Sequence, residues 1–260
     1  SSRLYIPMKT IISFLLPAEM GIILFLKPRK NITGRKRLSR KSDVNIEKNG
    51  GKKRNMASIK LNKVQQSAVE AINGPVLIFA GAGSGKTRVL VYKIAYLLDQ
   101  GIVVPEDLLA VTFTNKAAQV MRERVTRLIK EKHVPLNIGT FHSICARILR
   151  NDIKHLGFTS DFAIYDAADQ VALLKVVMAD MGVPKNSILP KTARNRISYY
   201  KNKLIAHDVA MKSARTIQDR TIVDIYKAYQ KDLKKNNALD FDDLLNYPLE
   251  IFENHPRILG

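Results

Sequence analysis

An α/β fold, a parallel sheet carrying an inserted block of helices, is predicted for this 260-residue chain by three observations. The β-rich run Pro75-Val76-Leu77-Ile78-Phe79 leads directly into a glycine-rich loop and then into a segment of helical apolar spacing. Two further β-rich runs, Leu108 to Phe113 and Asn137 to Phe141, each pass into an amphipathic helix, and this alternation is the signature of a parallel sheet with helical crossovers. Residues 162–235 read as helical throughout, which sets them apart as an insertion. The expected organisation is a basic extension over residues 1–55, the first segment of a nucleotide-binding domain over 56–160, the helical insertion over 161–235, and a return to the first domain over 236–260.

The extension is defined by charge. Lys and Arg outnumber Asp and Glu by 43 to 23 in the whole chain, for a formal charge of +20, and residues 1–55 alone hold 14 basic against 3 acidic residues. Such an excess points to a polyanionic partner, nucleic acid being the usual one. Residues 27–54 offer almost nothing to bury and are expected to be disordered. The apolar stretch Ile11 to Leu26 is short for a membrane span and carries Pro17 and Glu19 near its centre. No small-residue cleavage site follows it, as a signal peptide would need. Because the chain starts at Ser1 while Met56 stands just ahead of the first organised helix, residues 1–55 are expected to contribute nothing to the fold. Cys145 is the sole cysteine, which rules out a disulfide within the chain and a cysteine-built zinc site.

The first organised helix opens at Leu61-Asn62, with Asn62 as its N-cap and Val64, Ala68 and Val69 assigned to one face. Gln65 in its first turn carries both a donor and an acceptor, the pair that an adenine edge requires. The loop that follows the first strand, Ala80-Gly81-Ala82-Gly83-Ser84-Gly85-Lys86-Thr87-Arg88, has Walker A spacing with Ala80 where the first glycine usually stands. Glycines 81, 83 and 85 let successive N–H groups converge on an anion, Lys86 reaches the β- and γ-phosphates, and the Thr87 hydroxyl is placed for Mg²⁺. A helix marked by Val91, Ile94 and Leu98 then directs its N-terminus at the same phosphates. ATP or GTP with Mg²⁺ is the implied ligand.

Phe113 falls at the end of the second strand, where open parallel sheets gather ligands. As an aromatic it could stack a base or serve the core. Thr114 caps the next helix, whose apolar stripe is Ala118, Met121, Val125 and Leu128, and Asn115 and Lys116 lie within reach of phosphates. After the third strand, Thr140, His142 and Ser143 open a helix running on through Ile144, Ile148 and Leu149. No carboxylate or nucleophile pattern accompanies His142 to support acid–base chemistry.

Within the insertion one helix is capped by Asp166, buries Val171, Leu174, Met178 and Met181, and stops at Gly182-Val183-Pro184. Another carries Ile222, Ile225, Tyr229 and Leu233 and ends at Asn236-Asn237. Lys185, Lys191, Arg194, Arg196, Lys201 and Lys203 make the region basic. The Asp240-Phe241-Asp242-Asp243 cluster follows no apolar strand, so it is not a Walker B box; Asp240 instead caps a helix over Asp242 to Phe252 with Asp243 in its first turn.

Five ordered motifs, Leu-Asn-x-x-Gln, Gly-Ala-Gly-Ser-Gly-Lys-Thr-Arg, Leu109 to Ala118, Gly139 to Ser143 and Leu239 to Leu245, together resemble the amino-terminal third of the UvrD/PcrA/Rep group of superfamily-one DNA helicases over about residues 58–260. The resemblance implies a RecA-like P-loop NTPase domain with an inserted helical subdomain. It implies ATP bound by Gln65, Gly81, Ala82, Gly83, Ser84, Gly85, Lys86, Thr87 and Arg88, with Lys86 and Thr87 acting in catalysis and Thr87 on Mg²⁺. It also implies single-stranded DNA on Phe113, Thr114, Asn115, Lys116, Thr140 and His142, a duplex junction near the basic insertion, and translocation 3′ to 5′. The chain ends before the Asp-Glu box, arginine fingers and second motor domain of that group, so a fragment that binds ATP but hydrolyses little is expected. A recombination helicase-nuclease subunit shares these early motifs, and a non-catalytic nucleotide- and DNA-binding module is the alternative of another class. The expected setting is cytoplasmic and nucleoid-associated, or nuclear in a eukaryote, with no membrane partner.

Overall fold

The computed structural model describes residues 23–26, 61–72, 76, 78, 81, 83–129 and 135–259. The strand expected at 75–79 and the loop residues Ala80 and Ala82 lie outside these, apart from Val76 and Ile78, as does the basic run 27–54. The described residues form two compact units, one up to Thr140 and one from Phe141 onward.

The first unit contains β1 (Ile23–Leu26), α1 (Lys63–Glu70), α2 (Lys86–Asp99), β2 (Leu108–Thr112), α3 (Asn115–Ile129) and β3 (Asn137–Thr140). β2 and β3 pair in parallel, Leu109 opposite Asn137 and Thr112 opposite Thr140, as the β-rich runs predict. Burial explains their composition: Leu108, Ala110, Val111 and Thr112 of β2 are all buried, as expected of a parallel strand covered on both faces. One expectation is corrected here. Residues 23–26, assigned to an extension outside the fold, form β1 and pair antiparallel with β2, Ile23 opposite Val111 and Leu26 opposite Leu108. The physical reason is that, among the described residues, no other strand pairs with β2 on that side, and an Ile-Leu-Phe-Leu run with strong β-propensity supplies the partner.

Between helices and sheet, Val91, Ile94 and Leu97 of α2 meet Met121 and Val125 of α3 over Leu108 and Ile138. The α3 stripe lies as predicted, with Ala118, Met121 and Val125 buried and Leu128 packed at its edge. In α1 the assignment of Val64 fails: it is 79% exposed while Val69 is buried. Five residues turn an α-helix through roughly 140° past a full turn, so the two cannot share a face.

The second unit runs α4 (Phe141–Asp152), β4 (Ala163–Tyr165), α5 (Ala167–Asp180), α6 (Pro190–Asn202), α7 (His207–Ser213), α8 (Ile217–Lys235), β5 (Ala238–Asp240) and α9 (Phe241–Asn254). Residues 162–235 are therefore not helical throughout, because β4 pairs in parallel with β5, Ala163 opposite Ala238 and Tyr165 opposite Asp240. Asn237 sits at φ 47°, the left-handed turn that lets the chain leave α8 and enter β5 at once. The helix caps follow the sequence closely. Asp166 closes a capping box with Asp169, and Asp240 closes one with Asp243.

Two cores hold this unit. Leu174, Val177, Ile197, Ile222, Ile225 and Tyr229 join α5, α6 and α8, whereas Leu149, Phe162, Leu239, Leu244, Ile251 and Phe252 join α4, β5 and α9. Met181, placed on the buried stripe of α5, is 40% exposed because the helix ends at Asp180 and Met181 is its C-cap.

Candidate nucleotide and nucleic-acid sites

The phosphate loop is shaped by two glycines and a serine. Gly83 and Gly85 take φ of 77° and 91°, a region closed in practice to residues with a Cβ. At Gly85 an added Cβ would also come within 3.2 Å of the Gln65 amide nitrogen. Ser84 turns the chain back through its N–H and its hydroxyl, which both donate to the Gly81 carbonyl at 3.3 and 2.7 Å. The Lys86 ammonium donates to the same carbonyl at 3.1 Å, so the lysine lies folded along the loop. Gly85 is the N-cap of α2 and offers no side chain, leaving the first-turn N–H groups of Lys86, Thr87 and Arg88 directed out of the helix end toward the loop.

Gln65 joins α1 to this loop. Its Nε2 donates to the Ser84 carbonyl at 3.2 Å, while its Oε1 accepts the Asn62 N–H at 3.1 Å as one half of a capping box. A primary amide has two N–H donors and two acceptor lone pairs, and among the described residues each set is used once. The remaining donor and acceptor are the complement of an adenine edge. Thr87 is half-buried in the first turn of α2, and Arg88 is exposed with its guanidinium 5.8 Å from the Tyr92 ring centre.

No group of three or more His, Cys, Asp or Glu side chains able to hold a metal occurs among the described residues.

Sequence reasoning passed over Lys93. It is 5% exposed on α2, and its ammonium donates to the carbonyls of Ala68 at 3.0 Å and Val69 at 3.4 Å, and to that of Ala71. Burial lowers its pKa, since no carboxylate compensates. The signal was present in the pattern: Val89, Lys93 and Leu97 are spaced four apart, and the two apolar members are buried.

The predicted nucleic-acid residues divide between the units. In the first, Phe113 is 48% exposed in the turn after β2, beside exposed Thr114, Asn115 and Lys116. The Thr114 hydroxyl accepts the Ala117 N–H at 3.1 Å and caps α3, which fixes this turn at the carboxyl end of the sheet. Thr140 is buried at the end of β3. In the second unit, His142 lies half-buried in the first turn of α4, its ring 5.5 Å from that of Phe241 in an edge-on contact.

Burial lowers the His142 pKa and Asp242 offsets this only in part, which favours the neutral imidazole. An NMR titration of His142 is expected to give a midpoint below 6.5, rising in Phe241→Ala as water reaches the ring. A native midpoint above 6.5 would show a solvated, cationic histidine instead.

Lys185, Lys191, Arg196 and Lys203 are exposed as the basic insertion requires, and Arg194 is half-buried. Lys201 is not part of that surface. At 2% exposure it is buried, with its ammonium 2.6 Å from Asp240 and 2.8 Å from Asp243. Its place on α6, four residues after Ile197 and eight after Ala193, both buried, turns it inward.

A glycine-shaped loop at a helix N-terminus, latched to a preceding glutamine helix, has the form of a P-loop. The chain belongs to the UvrD/REP helicase N-terminal domain family, which matches residues 61–260. It is 43% identical over 199 residues to the ATP-dependent DNA helicase PcrA of Bacillus subtilis (strain 168), covering 76% of this chain and 27% of that protein. To the ATP-dependent DNA helicase PcrA of Staphylococcus aureus (strain Mu50 / ATCC 700699) it is 42% identical with the same coverage. The chain thus spans about a quarter of the length of the curated relatives it matches. No helix among the described residues is long and apolar enough to cross a membrane.

Proposed function

We propose that this chain is the nucleotide-binding and single-strand-binding part of an ATP-dependent DNA helicase, in a RecA-like domain interrupted by the helical residues of 161–235. The observation that carries it is the hydrogen-bonded chain Gln65, Ser84, Gly81 and Lys86, which joins a base-reading amide to a phosphate-binding lysine. Adenine would lie at Gln65, the triphosphate in the loop residues Gly81 to Arg88, and Mg²⁺ on Thr87. Single-stranded DNA would stack on Phe113, with Thr114, Asn115 and Lys116 on its phosphates; Thr140 in the same unit and His142 in the other are proposed as further DNA contacts.

The names of the relatives support DNA unwinding as the activity of the whole protein. Translocation 3′ to 5′, contact of the basic helices with a duplex junction, and residence with the nucleoid are parts of the same proposal. Phosphoryl transfer depends on positioning and charge neutralisation. The 260 residues supply the cradle but no Asp-Glu pair at a strand end, so slow ATP hydrolysis is expected of this chain by itself.

Titration with a single-stranded oligonucleotide tests the DNA half of the proposal. Phe113→Ala is expected to weaken binding by about 1–3 kcal/mol at every salt concentration, since stacking carries no counterion release. Lys116→Ala is expected to flatten the salt dependence. Native affinity in Phe113→Ala would remove the aromatic from the DNA path.

A further inference from the structure

The helix that carries Gln65 is poorly held by its own resources. α1 has eight residues, too few for a helix to be stable by itself, and Val69 is its sole buried side chain. Its attachment to α2 and the loop before it is polar at both ends. At the N-terminal end Gln65 donates to Ser84; at the C-terminal end Lys93 takes the carbonyls of Ala68, Val69 and Ala71. Those are the last-turn and cap carbonyls that a helix cannot satisfy internally, and an ammonium with three donors meets three of them. A cation there also complements the negative end of the helix. Lys93 itself is seven residues, about 10 Å, along α2 from Lys86, too far to touch phosphate from within the helix.

We infer that Lys93 is a positioning residue for nucleotide recognition: it pins the C-terminal end of α1 to the phosphate-loop helix and so aims Gln65 at the base. The inference rests on the proposed role of Gln65. It assigns to Lys93 the discrimination between bases and leaves the grip on the phosphates to the loop. A buried cation whose partners among the described residues are carbonyls is costly to keep, and holding α1 in one orientation is what the three bonds accomplish.

The experiment is equilibrium binding of ATP, GTP and inorganic tripolyphosphate, each with Mg²⁺, to the full 260-residue chain and its variants. Lys93→Met is expected to lower the ATP-over-GTP preference by about tenfold or more while tripolyphosphate binds as in the native chain, and Lys93→Arg to restore most of the preference. Added to Gln65→Ala, Lys93→Met should cause no further loss of preference, because both act through the same amide. Thermal unfolding is followed throughout, with Lys93→Gln, which keeps a shorter, uncharged amide donor group, as the second variant. Native preference in Lys93→Met overturns the inference. So does an equal loss for all three ligands, or loss of cooperative unfolding in both neutral variants, since Lys93 would then serve the fold alone. Full base preference in Gln65→Ala overturns the underlying role of Gln65, an outcome readable without any Lys93 variant.

Discussion

Lys201→Met is expected to destabilise the unit from Phe141 onward by about 3–5 kcal/mol at pH 8, the range for removing one partner of a buried ion pair. The ammonium of Lys201 is shared by Asp240 at 2.6 Å and Asp243 at 2.8 Å, and Tyr229 donates to the same Asp240 oxygen at 3.1 Å. The other oxygens are committed to the capping box: Asp240 accepts the Asp243 N–H at 2.9 Å, and Asp243 accepts the Asp240 N–H at 3.3 Å. One cation is therefore shared by two carboxylates that also begin α9 and end β5. Burial would lower the Lys201 pKa, but Asp243 and Asp240 outweigh it and the net shift is upward. Burial raises Asp243 even beside that cation, whereas at Asp240 the attraction of Lys201 overcomes burial and the net shift is downward.

Without Lys201 both carboxylates are buried and uncompensated, so both folded-state pKa values lie above the unfolded value. A carboxyl group with a raised pKa contributes stability that is present below its unfolded pKa and lost as pH rises through the folded one. The defect of Lys201→Met should accordingly be smaller at pH 5 than at pH 8. Asp243→Asn, which leaves a one-to-one pair of Lys201 with Asp240, should cost much less than Lys201→Met at either pH. Urea unfolding at the two pH values checks this. A loss no larger than that of the exposed Lys203→Met would mean that the buried cluster contributes nothing net.

Lys201 and Lys93 also mark where the sequence was hard to read. The phosphate loop, the strands at 108–112 and 137–140, and the caps Asn62, Asp166 and Asp240 were legible because each is a local rule: a spacing of glycines, a β-rich run, an acceptor three residues before its N–H. Charge was read as surface, and for Lys116 and Lys203 that holds. For Lys201 it fails, and Lys93 drew no reading at all, since their partners lie 39–42 and 22–25 residues away in sequence and no local rule supplies them. In both helices the clue is a lysine four residues from buried apolar side chains, Val89 and Leu97 in one, Ile197 in the other. The short strands escaped for a related reason. Three residues of β4 and three of β5 show no period, and β1 belongs to the sheet only through β2, more than 80 residues further on.

Lys86→Ala is expected to weaken Mg²⁺·ATP binding by about 1.5–3 kcal/mol, the range for a hydrogen bond to a charged group, or roughly ten- to more than a hundredfold. The lysine's present bond to the Gly81 carbonyl at 3.1 Å shows that its ammonium reaches back across the loop, the direction in which bound phosphates would lie. Removing it leaves the turn intact, because Gly83 and Gly85 keep their left-handed backbone and Ser84 still closes onto Gly81. Gln65 keeps its hydrogen bonds to Ser84 and Asn62 in this variant. The loss should therefore fall on phosphate alone: ATP and tripolyphosphate weaken together, while adenosine binds the native and Lys86→Ala chains alike. Thr87→Val extends the test to the metal. Lacking the hydroxyl, it should bind ATP as the native chain does in the presence of a chelator and lose the gain that Mg²⁺ confers. Calorimetric titration of the three ligands, with and without Mg²⁺, separates these terms. Undiminished ATP affinity in Lys86→Ala would mean that the glycine-rich turn does not hold a triphosphate, and the nucleotide site would have to be sought elsewhere in the chain.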